Sequence, residues 1–150
     1  MMNAQLTWKQ NMAFECENHG VKTMTDATLD TGGSGLGPTP KELVMNAMMG
    51  CTAMDVVAIL KKMRQQIDSF RMEIEVEKTF EHPIHFKSAL LKYHLQGELD
   101  PEKVKKAVQS SLTRYCGVNY MVSLSCEISY RVYLGETEID SGRVDFKIPA

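Results

Sequence analysis

The residues of this sequence that offer redox or metal chemistry are its four cysteines, Cys16, Cys51, Cys116 and Cys126. A cysteine thiolate is a nucleophile and a metal ligand, and two neighbouring thiols can cycle between dithiol and disulfide. The sequence contains no C-x-x-C pair, and no cysteine lies beside a histidine. Because structural zinc sites depend on such spacings, we expect no metal and no other cofactor.

Two of these cysteines stand out by their surroundings. Cys51 lies in an apolar segment, directly after Gly50, and Cys116 lies in RYCGV, at the end of a second predicted helix. A free cysteine usually packs as a small hydrophobic residue, and this is the interpretation for Cys16 and Cys126 in their strand-like segments. A cysteine about three turns into a capped helix has no evident structural need for sulfur, so Cys51 and Cys116 are the candidate redox pair.

The elements before Cys51 are two strands and a loop. Residues 5–15 and 20–29 are predicted as strands joined by a turn at 17–20. Residues 30–40 contain four glycines and two prolines and are predicted as a loop. No Lys-Ser/Thr pair follows these glycines, so the loop does not match a phosphate-binding motif.

A long helix follows this loop. Thr39 is a suitable N-cap, Pro40 suits the first helical position, and Glu42 completes a capping box. The helix is predicted to run to about Gln66. Its middle, residues 43–60, is apolar nearly all the way round, so this long central helix must be buried on several sides.

The rest of the chain alternates strands with a second helix. That helix begins at Asp100-Pro101 and is predicted to run to about Tyr115. The strands are predicted over 70–80, 85–97, 125–134 and 142–148. Adjacent strands joined by short turns predict a mostly antiparallel sheet, and the order of elements predicts an α+β fold forming a single domain over residues 1–150.

Composition excludes several classes of function. The chain has 150 residues, 43% apolar and 24% charged, with a net charge of −2 and no basic cluster, so we expect no nucleic-acid partner. Its start lacks the pattern of a secretory signal. The apolar segment contains Thr52 and Asp55 and is short for a membrane span, so we expect a cytoplasmic protein with no membrane partner.

The segment GPTPKELVMNAMMGCTAMD (37–55), with YCGV (115–118) about sixty residues later, resembles the OsmC/Ohr family of osmotically inducible and organic hydroperoxide resistance proteins. The resemblance covers roughly residues 5–134. It implies an OsmC-like fold and an intertwined homodimer with the long helices at its centre. It also implies that Cys51 attacks an organic hydroperoxide, that Cys116 resolves the sulfenic acid to a disulfide, and that an external dithiol reduces this disulfide.

The chain departs from the family pattern around Cys51, which makes it an atypical member. Family peroxidases stabilise the thiolate with an N-terminal Arg held by a Glu, whereas the first Arg here is Arg64. The position of that Glu is Lys41, and Glu42 lies nine residues before the cysteine, on the opposite side of the helix. Lys41 is therefore a candidate replacement.

Two further accessory residues are candidates. Asp55, four residues after Cys51, shares its helical face and would raise a thiol pKa, or it is a buried packing residue. Arg114, near Cys116, could supply the missing cation, although a solvated residue at a helix end is the more common case. Two alternatives to a peroxidase stay open: a non-catalytic dimer that binds a small hydrophobic ligand, and a purely structural role for both cysteines.

Overall fold

The computed structural model describes residues 1–146, which form two structural units, residues 1–46 and residues 47–146. The first unit opens with a three-stranded meander. Its strands are antiparallel and adjacent in chain order: β1 (Gln5–Gln10), β2 (Ala13–Asn18) and β3 (Val21–Thr25). The prediction of two strands over 5–15 and 20–29 was wrong. A further turn at Asn11, with φ of 47°, divides the first predicted strand, and asparagine tolerates this left-handed conformation better than most residues.

The glycine-rich loop of the first unit is organised by Asp26. This buried carboxylate accepts backbone N–H hydrogen bonds from Ser34 at 2.9 Å, Leu36 at 3.1 Å and Ala27 at 2.8 Å. The bonds from Ser34 and Leu36 hold the pKa of Asp26 below its ordinary value. At Gly33 a Cβ atom would collide with the Ala27 carbonyl, so glycine is required there. The loop is thus held together by hydrogen bonds from its backbone to the Asp26 side chain.

The long helix α1 (Pro40–Lys62) begins as predicted. The Thr39 backbone N–H donates to the Glu42 carboxylate at 2.7 Å and the Glu42 N–H donates to Thr39 Oγ1 at 3.4 Å, which confirms the capping box. The helix ends at Lys62 and not at Gln66, because Arg64 adopts a left-handed conformation with φ of 57°.

Within residues 47–62, α1 buries one row of side chains, spaced four residues apart: Met48, Thr52, Val56 and Leu60. Met54, away from this row, is 74% exposed. A single chain therefore covers only part of the apolar surface for which burial was predicted. By length and composition α1 is also one helix that could cross a membrane, which by itself is weak evidence for a membrane span.

The second unit contains a four-stranded sheet in chain order. Its strands are β4 (Ser69–Lys78), β5 (Phe86–Gln96), β6 (Glu127–Leu134) and β7 (Thr137–Arg143). The β4–β5 and β6–β7 pairs are antiparallel, and β5–β6 is parallel because helices connect these two strands. The three longer predicted strands are confirmed to within a few residues. The last strand lies at Thr137–Arg143, earlier than the predicted 142–148, of which residues 147 and 148 fall outside the described part.

The crossover from β5 to β6 differs from the single helix predicted. Helix α2 (Pro101–Ser110) is capped by Asp100, which accepts the Glu102 N–H at 2.9 Å, and it ends before Tyr115. One π-helical turn (Ser111–Tyr115) follows, in which the Cys116 N–H donates to the Ser111 carbonyl at 2.9 Å. The short helix α3 (Gly117–Ser123) then begins, with Cys116 as its N-cap. The fold is α+β, as predicted.

Candidate redox site

Helix α1 and the π-helical turn place Cys51, Asp55 and Cys116 together in the second unit. One donor atom from each residue, a sulfur or a carboxylate oxygen, lies within 4.8 Å of the other two. Cys51 and Asp55 are one helical turn apart on α1 and so share a face. Cys116 is brought to them by the extra residue of the π turn, a feature that is frequent at functional sites. The structure thus brings together the two cysteines proposed as a redox pair.

Both thiols are free, and they are within reach of each other. A disulfide needs its sulfurs at about 2.05 Å, so the pair must close by about 3 Å at most. The two sulfurs are therefore close neighbours in the folded chain.

The two thiols differ in exposure and acidity. Cys51 is half-buried, whereas Cys116 is 1% exposed. Burial raises the pKa of the Cys116 thiol well above its ordinary value, and the neighbouring Cys51 sulfur and Asp55 carboxylate raise it further. The Asn119 backbone N–H, 3.5 Å from Cys116 Sγ, opposes this shift but does not reverse it. Cys116 is therefore a protonated thiol at neutral pH.

A buried chain of hydroxyl groups leads to Asp55. The Tyr93 hydroxyl lies 2.9 Å from Thr52 Oγ1, which lies 2.9 Å from Ser111 Oγ, which lies 2.8 Å from Asp55 Oδ2. Ser111 donates to Asp55, so its hydroxyl joins this carboxylate to the Thr52 and Tyr93 hydroxyls in one connected network. Burial raises the pKa of Tyr93, so it remains a neutral donor.

Asn119 connects α3 to α1 behind the two cysteines. Its Nδ2 donates to the Met48 carbonyl at 3.2 Å, and its backbone N–H is the donor to Cys116 Sγ. Its Oδ1 is buried and has no hydrogen-bond partner among residues 1–146. Asn119 therefore fixes the start of α3, and with it the Cys116 side chain, against the helix that carries Cys51.

The other accessory residues predicted from the sequence have separate contacts. Lys41 and Glu42 lie in the first unit, where bonds from the Thr39 backbone N–H and hydroxyl hold the pKa of the Glu42 carboxyl below its usual value. Arg114 is exposed, with its guanidinium carbon 5.4 Å from the centroid of the Tyr115 ring. Within residues 47–146, Asp55 forms no salt bridge. A role for Lys41, Glu42 or Arg114 at Cys51 remains a prediction.

Four residues that hold Asp55 and Cys116 in place were not predicted from the sequence: Tyr93, Thr52, Ser111 and Asn119. One signal was available. Ser111 falls in the otherwise apolar stripe of the second predicted helix, and a buried hydroxyl requires a hydrogen-bond partner.

Comparison with known proteins identifies the family. The model of the family described as OsmC-like protein matches residues 32–131. Protein YhfA of Escherichia coli K12 is 32% identical over 132 residues, which cover 86% of this chain and 95% of that protein. The chain belongs to the OsmC family.

Solved structures agree in fold. A hypothetical protein of Aquifex aeolicus has a TM-score of 0.77 at 25% identity, with 91% of this chain and 98% of that chain covered. An organic hydroperoxide resistance protein OsmC of Legionella pneumophila, described as a predicted redox protein, has a TM-score of 0.65 at 15% identity, with 90% and 96% covered. At this level of identity the second comparison shows the fold alone.

Proposed function

We propose that the protein is a thiol peroxidase that reduces organic hydroperoxides, with Cys51 as the peroxidatic and Cys116 as the resolving cysteine. The observation that carries this proposal is the placement of one half-buried and one fully buried thiol within 4.8 Å of each other. The family membership, together with the resemblance of residues 37–55 and 115–118 to organic hydroperoxide resistance proteins, supports the choice of substrate.

The reaction has two chemical steps before reduction. The Cys51 thiolate attacks one oxygen of the hydroperoxide, the O–O bond breaks, and Cys51 becomes a sulfenic acid while an alkoxide leaves and takes up a proton as the alcohol. The Cys116 sulfur then attacks the Cys51 sulfur, and the sulfenic hydroxyl leaves as water with the proton of Cys116. An external dithiol supplies the two electrons that restore both thiols.

The exposure of the two cysteines supports this division of roles. A peroxide arriving from solvent meets Cys51, whereas Cys116 is sealed at 1% exposure and keeps its proton. Resolution requires that this proton leave. The Asp55 carboxylate lies within 4.8 Å of Cys116 Sγ and accepts a hydrogen bond from Ser111, so we assign it as the group that accepts the Cys116 proton and passes it to the leaving hydroxyl.

We also propose that this single-domain chain acts as a cytoplasmic homodimer. The dimer is supported by Met54, which is 74% exposed in a single chain although it lies in the apolar helix α1. The cytoplasmic location is supported by the four free thiols. Light scattering at micromolar concentration tests the assembly: a dimer mass supports the proposal, and a monomer mass refutes it.

Stopped-flow mixing with cumene hydroperoxide tests the peroxidase activity. Wild type is compared with Cys51→Ser, Cys116→Ser and a Cys126→Ser control that changes a cysteine outside the site. The wild type and Cys126→Ser should consume peroxide rapidly, Cys51→Ser should not, and Cys116→Ser should stop after one turnover with a sulfenic acid that dimedone traps. Slow consumption that Cys51→Ser leaves unchanged would refute the proposal.

A second candidate function, binding of a small hydrophobic ligand without catalysis, is favoured by one feature. An open cleft of about 460 Å³ lies beside Asp55 and is lined partly by Ala58, Ile59, Met63 and Tyr115. If this is the function, the Cys51→Ser, Cys116→Ser double variant should bind an apolar fluorescent probe as tightly as wild type and peroxide turnover should be absent from both.

A further inference from the structure

We propose that the reduced protein binds one Zn²⁺ ion per chain through Cys51, Asp55 and Cys116, and that oxidation of the two cysteines to a disulfide releases it. This site goes beyond the peroxidase function, and it rests on the arrangement of donor atoms in the second unit. It also revises the expectation of no metal, which considered only ligands close together in the sequence.

The spacing of the three donor atoms suits zinc. With Zn–S bonds of about 2.3 Å and Zn–O bonds of about 2.0–2.2 Å at tetrahedral angles, neighbouring ligand atoms lie about 3.6–3.8 Å apart. The donors here all lie within 4.8 Å of one another, so a contraction of about 1 Å at most completes the site. Three protein ligands leave the fourth tetrahedral position for water.

The chemistry of the donors selects the ion. Two thiolates and a carboxylate prefer zinc to the oxygen-seeking ions magnesium and calcium. The Asp55 carboxylate receives a hydrogen bond from Ser111 at 2.8 Å, the kind of outer contact that orients a ligating carboxylate. The Asn119 N–H at 3.5 Å from Cys116 Sγ similarly stabilises a thiolate there.

The charge balance favours a cation at this position. If both thiols ionise, three negative groups lie within 4.8 Å, and within residues 47–146 Asp55 has no ion-pair partner. A divalent ion offsets both the burial and the repulsion, and it displaces the thiol protons on binding.

Zinc and the disulfide require the same two sulfurs. Diamide accepts two electrons from the two thiolates and two protons from water as the Cys51–Cys116 bond forms, and it is itself reduced to the hydrazine. The sulfurs of a disulfide carry no charge and are poor ligands, so the ion is left with the Asp55 carboxylate alone and dissociates. The site is thereby occupied in the reduced state and vacated in the oxidised state.

The test uses the full-length protein, reduced with a phosphine and kept free of peroxide, so that its outcome does not depend on peroxidase activity. Zn²⁺ is titrated in competition with a chromogenic chelator, and Co²⁺ is used as a spectroscopic probe. We expect one ion per chain and, with Co²⁺, a thiolate charge-transfer band of a tetrahedral site. Loss of an outer-shell contact already weakens metal binding about 10–100-fold, so Cys51→Ser, Cys116→Ser and Asp55→Asn should each weaken it at least about 100-fold.

Cys16→Ser and Cys126→Ser are the matched controls and should bind as wild type does. Circular dichroism shows which variants are folded. The effect of oxidation is tested on the wild type alone: diamide added to the zinc-loaded protein should release one equivalent of Zn²⁺. Absence of stoichiometric binding by the folded reduced wild type would overturn the proposal. So would binding that survives all three ligand substitutions or that diamide leaves unchanged.

Discussion

Ser111 is the residue at which the buried hydroxyl chain meets the redox site, and its removal has a calculable effect. Ser111→Ala deletes the bond to the Asp55 carboxylate at 2.8 Å and the bond to Thr52 at 2.9 Å. A hydrogen bond to a charged group contributes about 1.5–3 kcal/mol and a neutral one about 0.5–1.5 kcal/mol. The better helix propensity of alanine offsets about 0.5 kcal/mol. We expect a loss of about 1.5–4 kcal/mol in the free energy of unfolding, in the lower half of that range because Asp55 is half-buried.

Urea unfolding followed by circular dichroism, at one fixed protein concentration, measures this loss. Ser110→Ala is the matched control: it makes the same change one residue earlier, where the hydroxyl has no side-chain capping bond, and it should stay within about 0.5 kcal/mol of wild type. Ser111 and Thr52 share a hydrogen bond, so each single substitution already breaks it. The losses in the free energy of unfolding caused by Ser111→Ala and by Thr52→Val should therefore sum to more than the loss measured for the double variant. A Ser111→Ala effect no larger than that of Ser110→Ala would refute the hydrogen-bond chain.

Three further predictions follow from the same site. Thr52→Val leaves the buried Tyr93 hydroxyl without its hydrogen-bond partner and should lower the free energy of unfolding by about 1–3 kcal/mol in the same urea assay. Adding Tyr93→Phe to this variant should recover part of that loss. If the losses of the two substitutions simply add, the bond between Thr52 and Tyr93 is contradicted. Because the folded protein raises the pKa of Cys116, the unfolded thiol ionises first as pH increases, so stability should fall above the ordinary thiol value of about 8.5 by up to about 1.4 kcal/mol per pH unit. Because burial also raises the pKa of Cys126, Cys116→Ser should reduce this fall without abolishing it, and equal pH profiles would refute the shift at Cys116. Asp55→Asn removes the proton acceptor for Cys116 and should slow disulfide formation after one equivalent of hydroperoxide, so that dimedone traps more sulfenic acid than in an Asp140→Asn control; equal trapping would exclude that role.

Much of the fold could be predicted from local sequence. The Thr39–Glu42 capping box, the Asp100 cap and the alternation over residues 70–80 each depend on neighbouring residues, and the structure confirms all three elements. The errors arose where one residue changes the geometry. Asn11 breaks a strand through its own backbone conformation, which hydrophobic alternation does not show.

The candidate site was predictable only in part, for a related reason. Cys51 and Asp55 were recognised as neighbours because helical spacing brings them together. The approach of Cys116 depends on the π turn at Ser111–Tyr115, one inserted residue that no periodicity indicates. The donor set of Cys51, Asp55 and Cys116 joins residues up to 65 positions apart in the chain, so a search for short ligand spacings could not find it.

The most direct test of the central claim is to treat the reduced protein with one equivalent of cumene hydroperoxide and map its cysteines by mass spectrometry after blocking the remaining thiols. The proposal predicts the loss of two thiols in a Cys51–Cys116 disulfide, with Cys16 and Cys126 still free. Four free thiols, or a disulfide that joins any other pair, would contradict it.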